Sequence, residues 1–298
     1  MVEKEEGRAV GLRRLPDDDQ AERASGAEPA AVKLLGTLKE GYSWVKSIES
    51  RHPGWHLSQV DGFPFSLPAR NLAASRVCLV SLAGVYLKGQ KPFITSPGVV
   101  PPEFRAMRFR DQGDWSVREI PVDCEPSDLL IAHAHYDHSD ADEDINCVFP
   151  LARLWELEIE GYIGECAPVH YSLMGYVPEV KRIIRAAAQQ IVPGLRTQEV
   201  DAVVVSGGCE LSHQSAGLIQ REIEAAGIPT VGVSVCREIT YRLQVPRAVA
   251  LRFPLGNPFG AAMDTPMHSR VLKDALALIE SAKAPGEVVD LPYDWIRV

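Results

Sequence analysis

"VDAVVVSGGCELSHQSAGLIQREIEAAGIPTVGVSV", residues 200–235, contains a full alternation of strand, turn, helix and strand. The valine-rich run up to Val205 shows no polar alternation, which predicts a strand buried on both faces. Ser206, Gly207 and Gly208 break it with a turn. Ser212 to Gly227 then has helical spacing and a glycine stop, and Thr230 to Val235 is a second valine-rich strand. Two strands joined through a helix run parallel.

Outward from this unit the rhythm continues. "RAVALRFP" (247–254) is a further strand and "SRVLKDALALIESAK" (269–283) a closing helix. Upstream, Arg76 to Leu82 reads as a buried strand before a turn at Gly84. "WSVREIPVD" (115–123) alternates like an edge strand, and "DLLIAHAH" (128–135) is a short buried strand. Helices are expected over "AAVKLLGTLKEGYSWVKSIE" (30–49), "FPLARLWELEIEGYIGE" (149–165, stopped by Gly161) and "YVPEVKRIIRAAAQQIV" (176–192), with a loop at "GVVPPEFRAM" (98–107). In the second helix Leu151, Leu154, Trp155, Leu157 and Ile159 form a core stripe. The fold class is therefore α/β: parallel-sheet, Rossmann-like lobes with helices on both faces. The expected organisation is a flexible tail over 1–30, a first α/β lobe over 31–172 and a second over 173–298.

Composition narrows the function. The 298 residues are 46% hydrophobic, enough for a sizeable core, and carry a formal charge of -9. An acidic chain without a long basic run does not suit a nucleic-acid backbone. The six cysteines include no C-x-x-C pair, so neither a disulfide framework nor a zinc knuckle is expected. The N-terminus is polar and no run of about 18 apolar residues occurs, so a cytoplasmic protein outside the membrane is expected. A homo-oligomer is the base-rate expectation.

Two segments carry candidate chemistry. The strand–glycine–helix turn places Cys209 at the carboxyl edge of the sheet, where open α/β folds keep their sites. A helix N-terminus lowers a thiol pKa, so Cys209 is the candidate nucleophile, with His213 one helical turn on as proton carrier and Glu210 as the nearest carboxylate. Gly207 and Gly208 are candidate substrate-binding positions, as are His170 and Tyr171 in "APVHYSLMGY" (167–176). The plain alternatives are a buried structural cysteine and a satisfied core histidine. Cys236 also follows a strand, so a Cys209/Cys236 pair is open. "FPLGNPFG" (253–260) is a loop that either closes over a site or only turns the chain.

The second segment is "LLIAHAHYDHSDADEDIN" (129–146), with three histidines and five carboxylates. His133, His135, Asp137 and His138 form H-x-H-x-D-H, a candidate site for a divalent metal such as zinc, iron or copper. The metallo-β-lactamases share that string, but strand–helix alternation is not their sandwich. The plain alternative is a helix cap, with Asp140 or Asp142 favouring a helix N-terminus.

Taken in order, "HAHYDHSDADEDINCVFPLARLWELEIEGYIGECAPVHYSLMGY", the 200–231 segment and "PRAVALRFPLGNPFG" resemble the selenoprotein B family of the glycine, sarcosine and betaine reductases, with its D-proline reductase relatives. The likeness runs from about Val77 to the C-terminus. It implies an enzyme that reductively cleaves a C–N bond of an amino-acid-like substrate. Such enzymes use a selenocysteine or cysteine at the strand–helix turn, with a pyruvoyl-bearing partner subunit in some members. The family places a second cysteine three residues after the first; here Cys209 stands at the first position and Ser212 at the second. Ser212 cannot resolve a mixed disulfide, so a reductase cycle needs another thiol, such as Cys236, or an external reductant.

Three readings result. The first is a reductase or lyase acting through Cys209 on a small amino-acid-like substrate, with a thiol reductant or partner subunit. The second is a metalloenzyme built on the His-rich turn. The third is a non-catalytic binding subunit of a larger complex.

Overall fold

A computed structural model describes residues 43–52, 55–95 and 113–296. The expected tail over 1–30, most of the helix expected over 30–49 and the loop at 98–107 lie outside these residues.

Among the described residues an eight-stranded sheet organises the chain. In chain order its strands are β1 (Arg76–Leu82), β3 (Arg118–Pro121), β5 (Glu165–Cys166), β6 (Val169–Ser172), β7 (Ala202–Gly207), β8 (Thr230–Ser234), β9 (Arg247–Ala250) and β10 (Glu287–Asp290). The order across the sheet is β10-β9-β8-β7-β1-β6-β3, with β5 beside the start of β1. Every pairing is parallel except that of β3, which runs antiparallel to β6 at one edge. A separate antiparallel pair joins β2 (Val85–Leu87) to β4 (Leu129–Ile131).

Burial explains the central strands. All six residues of β7, all five of β8 and all four of β9 are buried. Valines tolerate this because β-branched side chains pack well on a pleated surface. Side chains alternate between faces. Cys78, Val80, Leu82, Val203 and Val205 share one core with Ile183, Leu195, Ile219 and Ile223 of the covering helices. On the opposite face Ser81 and Ser206 both donate to the Val148 carbonyl, at 3.0 and 3.4 Å.

The helices are α1 (Trp44–Arg51), α2 (Ser139–Glu143), α3 (Leu151–Ile159), α4 (Val180–Ala186), α5 (Val192–Thr197), α6 (Glu210–Ala225), α7 (Arg237–Arg242) and α8 (Thr265–Ser281). The single helix expected over 176–192 is thus two helices joined by a π turn over Ala187–Ile191. In α3 Leu151, Leu154 and Leu157 are buried, Trp155 is half-buried and Ile159 is 86% exposed, so the stripe fades toward the end of the helix. No described helix is long and apolar enough to cross a membrane.

The "DLLIAHAH" strand departs from expectation. Only Leu129–Ile131 is extended, and it pairs with β2 outside the main sheet. The backbone turns at the histidines, where His133 Nδ1 accepts the His135 N–H at 3.0 Å. β10 is a strand that the sequence pattern did not suggest.

Strand order fixes where a site can form. From β1 the chain builds β6 on one side, then returns across β1 to lay β7 on the other. Strands before and after residue 172 thereby share one sheet. The order reverses between β1 and β7, and connections leaving such a switch point part to open a crevice at the carboxyl ends. Those ends are Leu82–Gly84 and Gly207–Cys209.

Candidate functional site

Cys209 caps the N-terminus of α6. Its Sγ accepts the Ser212 N–H at 3.3 Å. Ser212 Oγ in turn accepts the Cys209 N–H at 2.9 Å and donates to the Cys209 carbonyl at 2.8 Å. This is a reciprocal capping box with sulfur in place of the usual oxygen. Cys209 is fully buried. Burial pushes its thiol up to about 11; the N–H groups of Ser212 and Leu211 and the Ser212 hydroxyl oppose the shift without reversing it, and the Glu210 charge adds to it. The expected lowering by the helix terminus is therefore outweighed, because desolvation of a fully buried thiolate exceeds the field of a few N–H groups.

His213 is also buried. Its Nδ1–H donates to the Cys209 carbonyl at 2.6 Å and its Nε2 accepts the Val235 N–H at 3.1 Å. Burial lowers its pKa to about 4. Both ring nitrogens are engaged and the ring is neutral, so in this arrangement His213 clamps the exits of β7 and β8 and has no free nitrogen to carry a proton. Glu210 Oε2 lies 2.5 Å from Arg51 Nη2, and its Oε1 lies 3.1 Å from His52 Nε2. The carboxylate thus ties the end of α1 to the start of α6.

The glycines serve close approach. A Cβ on Gly208 would lie 2.9 Å from both the Ala83 Cβ and the Tyr136 ring. One on Gly207 would stand 3.0 Å from Ser212 Oγ and 3.1 Å from His213 Nδ1. Gly256, at φ +88, donates its N–H to the Gly208 carbonyl at 2.9 Å, and a Cβ there would meet the Tyr136 ring at 2.6 Å. The 253–260 loop therefore does close onto the Gly-Gly-Cys turn.

The His-rich turn covers the same edge. Tyr136 donates to the Ala83 carbonyl at 2.7 Å and is wedged between Gly208 and Gly256. Burial raises its phenol well above the ordinary value, with Cys209 among the charges that add to the shift. The two segments singled out in the sequence thus meet, and a tyrosine makes the contact. His135 stacks on Tyr176, with centroids 3.7 Å apart and planes within 6°. His133 and His52 stand 5.6 and 6.5 Å from His135.

The H-x-H-x-D-H string does not close into a ligand set. Among the described residues no group of three or more His, Cys, Asp or Glu side chains could hold a metal ion. His138 Nδ1 pairs with Asp142 at 2.6 Å, and Asp137 accepts the Ser139 N–H at 3.0 Å. His133 is buried and its pKa is lowered to about 3 chiefly by burial, with the Met174 backbone acting against the shift. Asp137 thus binds an N–H at the start of α2, while the His138 side chain makes no cap hydrogen bond and pairs with Asp142 one turn on.

His170 and Tyr171 lie within β6, short of the sheet edge. His170 Nδ1 accepts the Leu79 N–H at 3.0 Å, and Tyr171 accepts a hydrogen bond from Gln198 Nε2 at 3.0 Å within the core. Both side chains are buried within the strand's surroundings and neither stands at the end of β6. Sequence reasoning missed Arg51, His52, Tyr136 and Tyr176. Tyr136 alone had a signal: an aromatic ring inside an otherwise polar string.

A family model described as glycine/sarcosine/betaine reductase selenoprotein B matches residues 54–208, just over half of the chain. The match ends one residue before Cys209. The chain is 32% identical to the D-proline reductase subunit gamma of Acetoanaerobium sticklandii, over 76% of this chain and 87% of that one. It is 30% identical to the glycine reductase complex component B subunit gamma of Symbiobacterium thermophilum, over 80% of this chain. The corresponding subunit of Carboxydothermus hydrogenoformans is 28% identical over 89% of it. The chain spans 51% and 57% of those two glycine reductase subunits. No solved structure matches it.

Proposed function

The chain belongs to the glycine/sarcosine/betaine reductase selenoprotein B family, and from that premise we propose that it acts as a subunit of a reductase complex, with Cys209 as the nucleophile toward a small amino-acid-like substrate. The observation that carries this reading is the place of Cys209: at the carboxyl end of β7, beside the β1–β7 switch point, in a glycine turn that a tyrosine and a loop close over.

The chemistry follows from sulfur. A thiolate attacks a carbon next to a carbonyl or carboxyl group. The C–S bond forms as the C–N bond breaks, and nitrogen leaves with the electron pair and takes a proton. With its pKa near 11, the thiol is about 10⁻⁴ ionised at neutral pH. Reaction therefore requires an opening that admits water, substrate or the partner subunit to Cys209, and the wedge of Tyr136 is the group that moves. His213 holds the turn in register. Arg51 is half exposed at the mouth and offers a guanidinium to a substrate carboxylate.

The burial of Cys209 and the engagement of both His213 nitrogens also favour a second reading, a non-catalytic subunit that only completes a complex. One experiment separates the two. Tagged chain is isolated with the subunits that co-purify; amine release from glycine, sarcosine and betaine, and formation of the ring-opened amino acid from D-proline, are measured with dithiothreitol, for wild type and Cys209→Ser. Loss of at least a hundredfold in the variant, with the complex intact, supports the nucleophile. Equal activity overturns it and leaves the non-catalytic subunit.

A further inference from the structure

We propose that Cys236 is the resolving thiol of Cys209, so that oxidation joins the two in a disulfide across the exits of β7 and β8. The proposal rests on the reading of Cys209 as the reactive thiol. Strands β7 and β8 are adjacent and parallel, with Ser206 opposite Val233. Three residues on from each stand Cys209 and Cys236, which therefore occupy equivalent positions at the carboxyl edge. Each is the N-cap of the helix that follows its strand. Cys209 and Cys236 each stand two residues beyond the end of their strand, on turns that the His213 ring joins, and a disulfide between them requires a Cα separation of about 4.4–6.8 Å.

Three further observations support the pair. His213 bonds to the Cys209 carbonyl and to the N–H of Val235, the residue before Cys236, so one side chain links the two turns. The Cys236 side chain makes no cap hydrogen bond, so its sulfur is not tied to α7 as that of Cys209 is to α6. Both thiols are free and fully buried. Ser212, which shares the cap with Cys209, carries a hydroxyl and supplies no second sulfur.

The step balances. After Cys209 has displaced an amine, the Cys236 thiolate attacks Cys209 Sγ. The S–S bond forms as the C–S bond breaks, and carbon leaves with the electron pair and takes a proton. The substrate has gained two electrons and two protons overall, and the two cysteines have lost them. An external protein dithiol then attacks the disulfide, restores both thiols and becomes a disulfide itself.

The test uses the full chain and needs no substrate. Native protein is treated with diamide or oxidised glutathione, quenched with N-ethylmaleimide and digested without reduction for mass spectrometry. The expected result is a Cys209–Cys236 linked peptide that dithiothreitol releases. In Cys236→Ser the expected result is a stable glutathione adduct on Cys209, at least tenfold more abundant than in wild type. A Cys209 adduct in wild type with no linked peptide overturns the pair and leaves Cys209 as a reactive thiol. A Cys209 that forms neither a link nor an adduct in either protein overturns the reactive thiol itself, and the pair with it. The wild-type readout stands even if the variant folds poorly.

Discussion

His213 Nε2 accepts the backbone N–H of Val235 at 3.1 Å, an interaction that only a deprotonated nitrogen can make. The neutral ring is therefore part of the fold. Its pKa falls from 6.5 to about 4, so below pH 6.5 the unfolded chain binds a proton that the folded chain refuses. Stability should fall as pH drops from about 6.5 to 4 and then level off, by roughly 3 kcal/mol from this residue. His133 and His170, both lowered to about 3, act in the same direction. Urea denaturation at pH 7.5, 5.5 and 4.5 checks this. His213→Gln should be less stable at pH 7.5 and show a shallower acid slope; an identical slope would remove His213 from the account.

Cys209 should label slowly and with a steep pH dependence. With its thiol near 11, alkylation by iodoacetamide should rise about tenfold per pH unit between 7 and 9.5. Cys209→Ser should lose that label and keep the helix, because serine caps α6 at least as well as sulfur, leaving stability within about 1 kcal/mol. Fast labelling of Cys209 that is flat around pH 7 contradicts the burial described here.

The Arg51–Glu210 contact pins α1 to the site. Removing it by Arg51→Ala leaves a buried carboxylate with His52 alone. Arg51 is half exposed, so water repays part of the loss, and about 1–2 kcal/mol is expected. Limited proteolysis should cut near α1 sooner in the variant. An unchanged cutting rate and denaturation midpoint would mean that the contact contributes nothing.

Tyr136 and Gly208 form a matched pair of ring and gap. Gly208→Ala puts a methyl 2.9 Å from the ring and should cost about 1–3 kcal/mol. Tyr136→Phe removes only the bond to the Ala83 carbonyl and should cost about 1 kcal/mol. If the wedge controls access, both changes speed Cys209 alkylation. A Gly208→Ala protein as stable and as slow to label as wild type would argue against the wedge.

The sequence made the scaffold readable because β7, the glycine turn and α6 are local, and local periodicity reports local structure. The limits of β1 are read to the residue. The position of Cys209 followed from the same unit. The state of its thiol did not, because a helix terminus is visible in sequence while burial depends on Tyr136 and the 253–260 loop. His213 shows the same limit: its second partner belongs to β8, and nothing in "CELSH" tells that the ring is already saturated. Arg51 and His52 carry no pattern at all, since their link to Glu210 spans more than half the chain. The His-rich string can be read in two ways for a chemical reason. Ligand-type residues also make good caps and pairs: Asp137 binds the start of α2, His138 pairs with Asp142, and His135 lies flat on Tyr176.

The placement of β1 between β6 and β7 has a consequence for how the chain is made. The Arg76 N–H binds the carboxylate of Asp201, 125 residues further on, where the two central strands meet. During synthesis β1 emerges early and waits for that partner with one edge bare, so folding is governed by a late, long-range closure and not by the local helices. Growth temperature and chaperone supply should therefore determine the yield of native protein more than substitutions on the outer helices do.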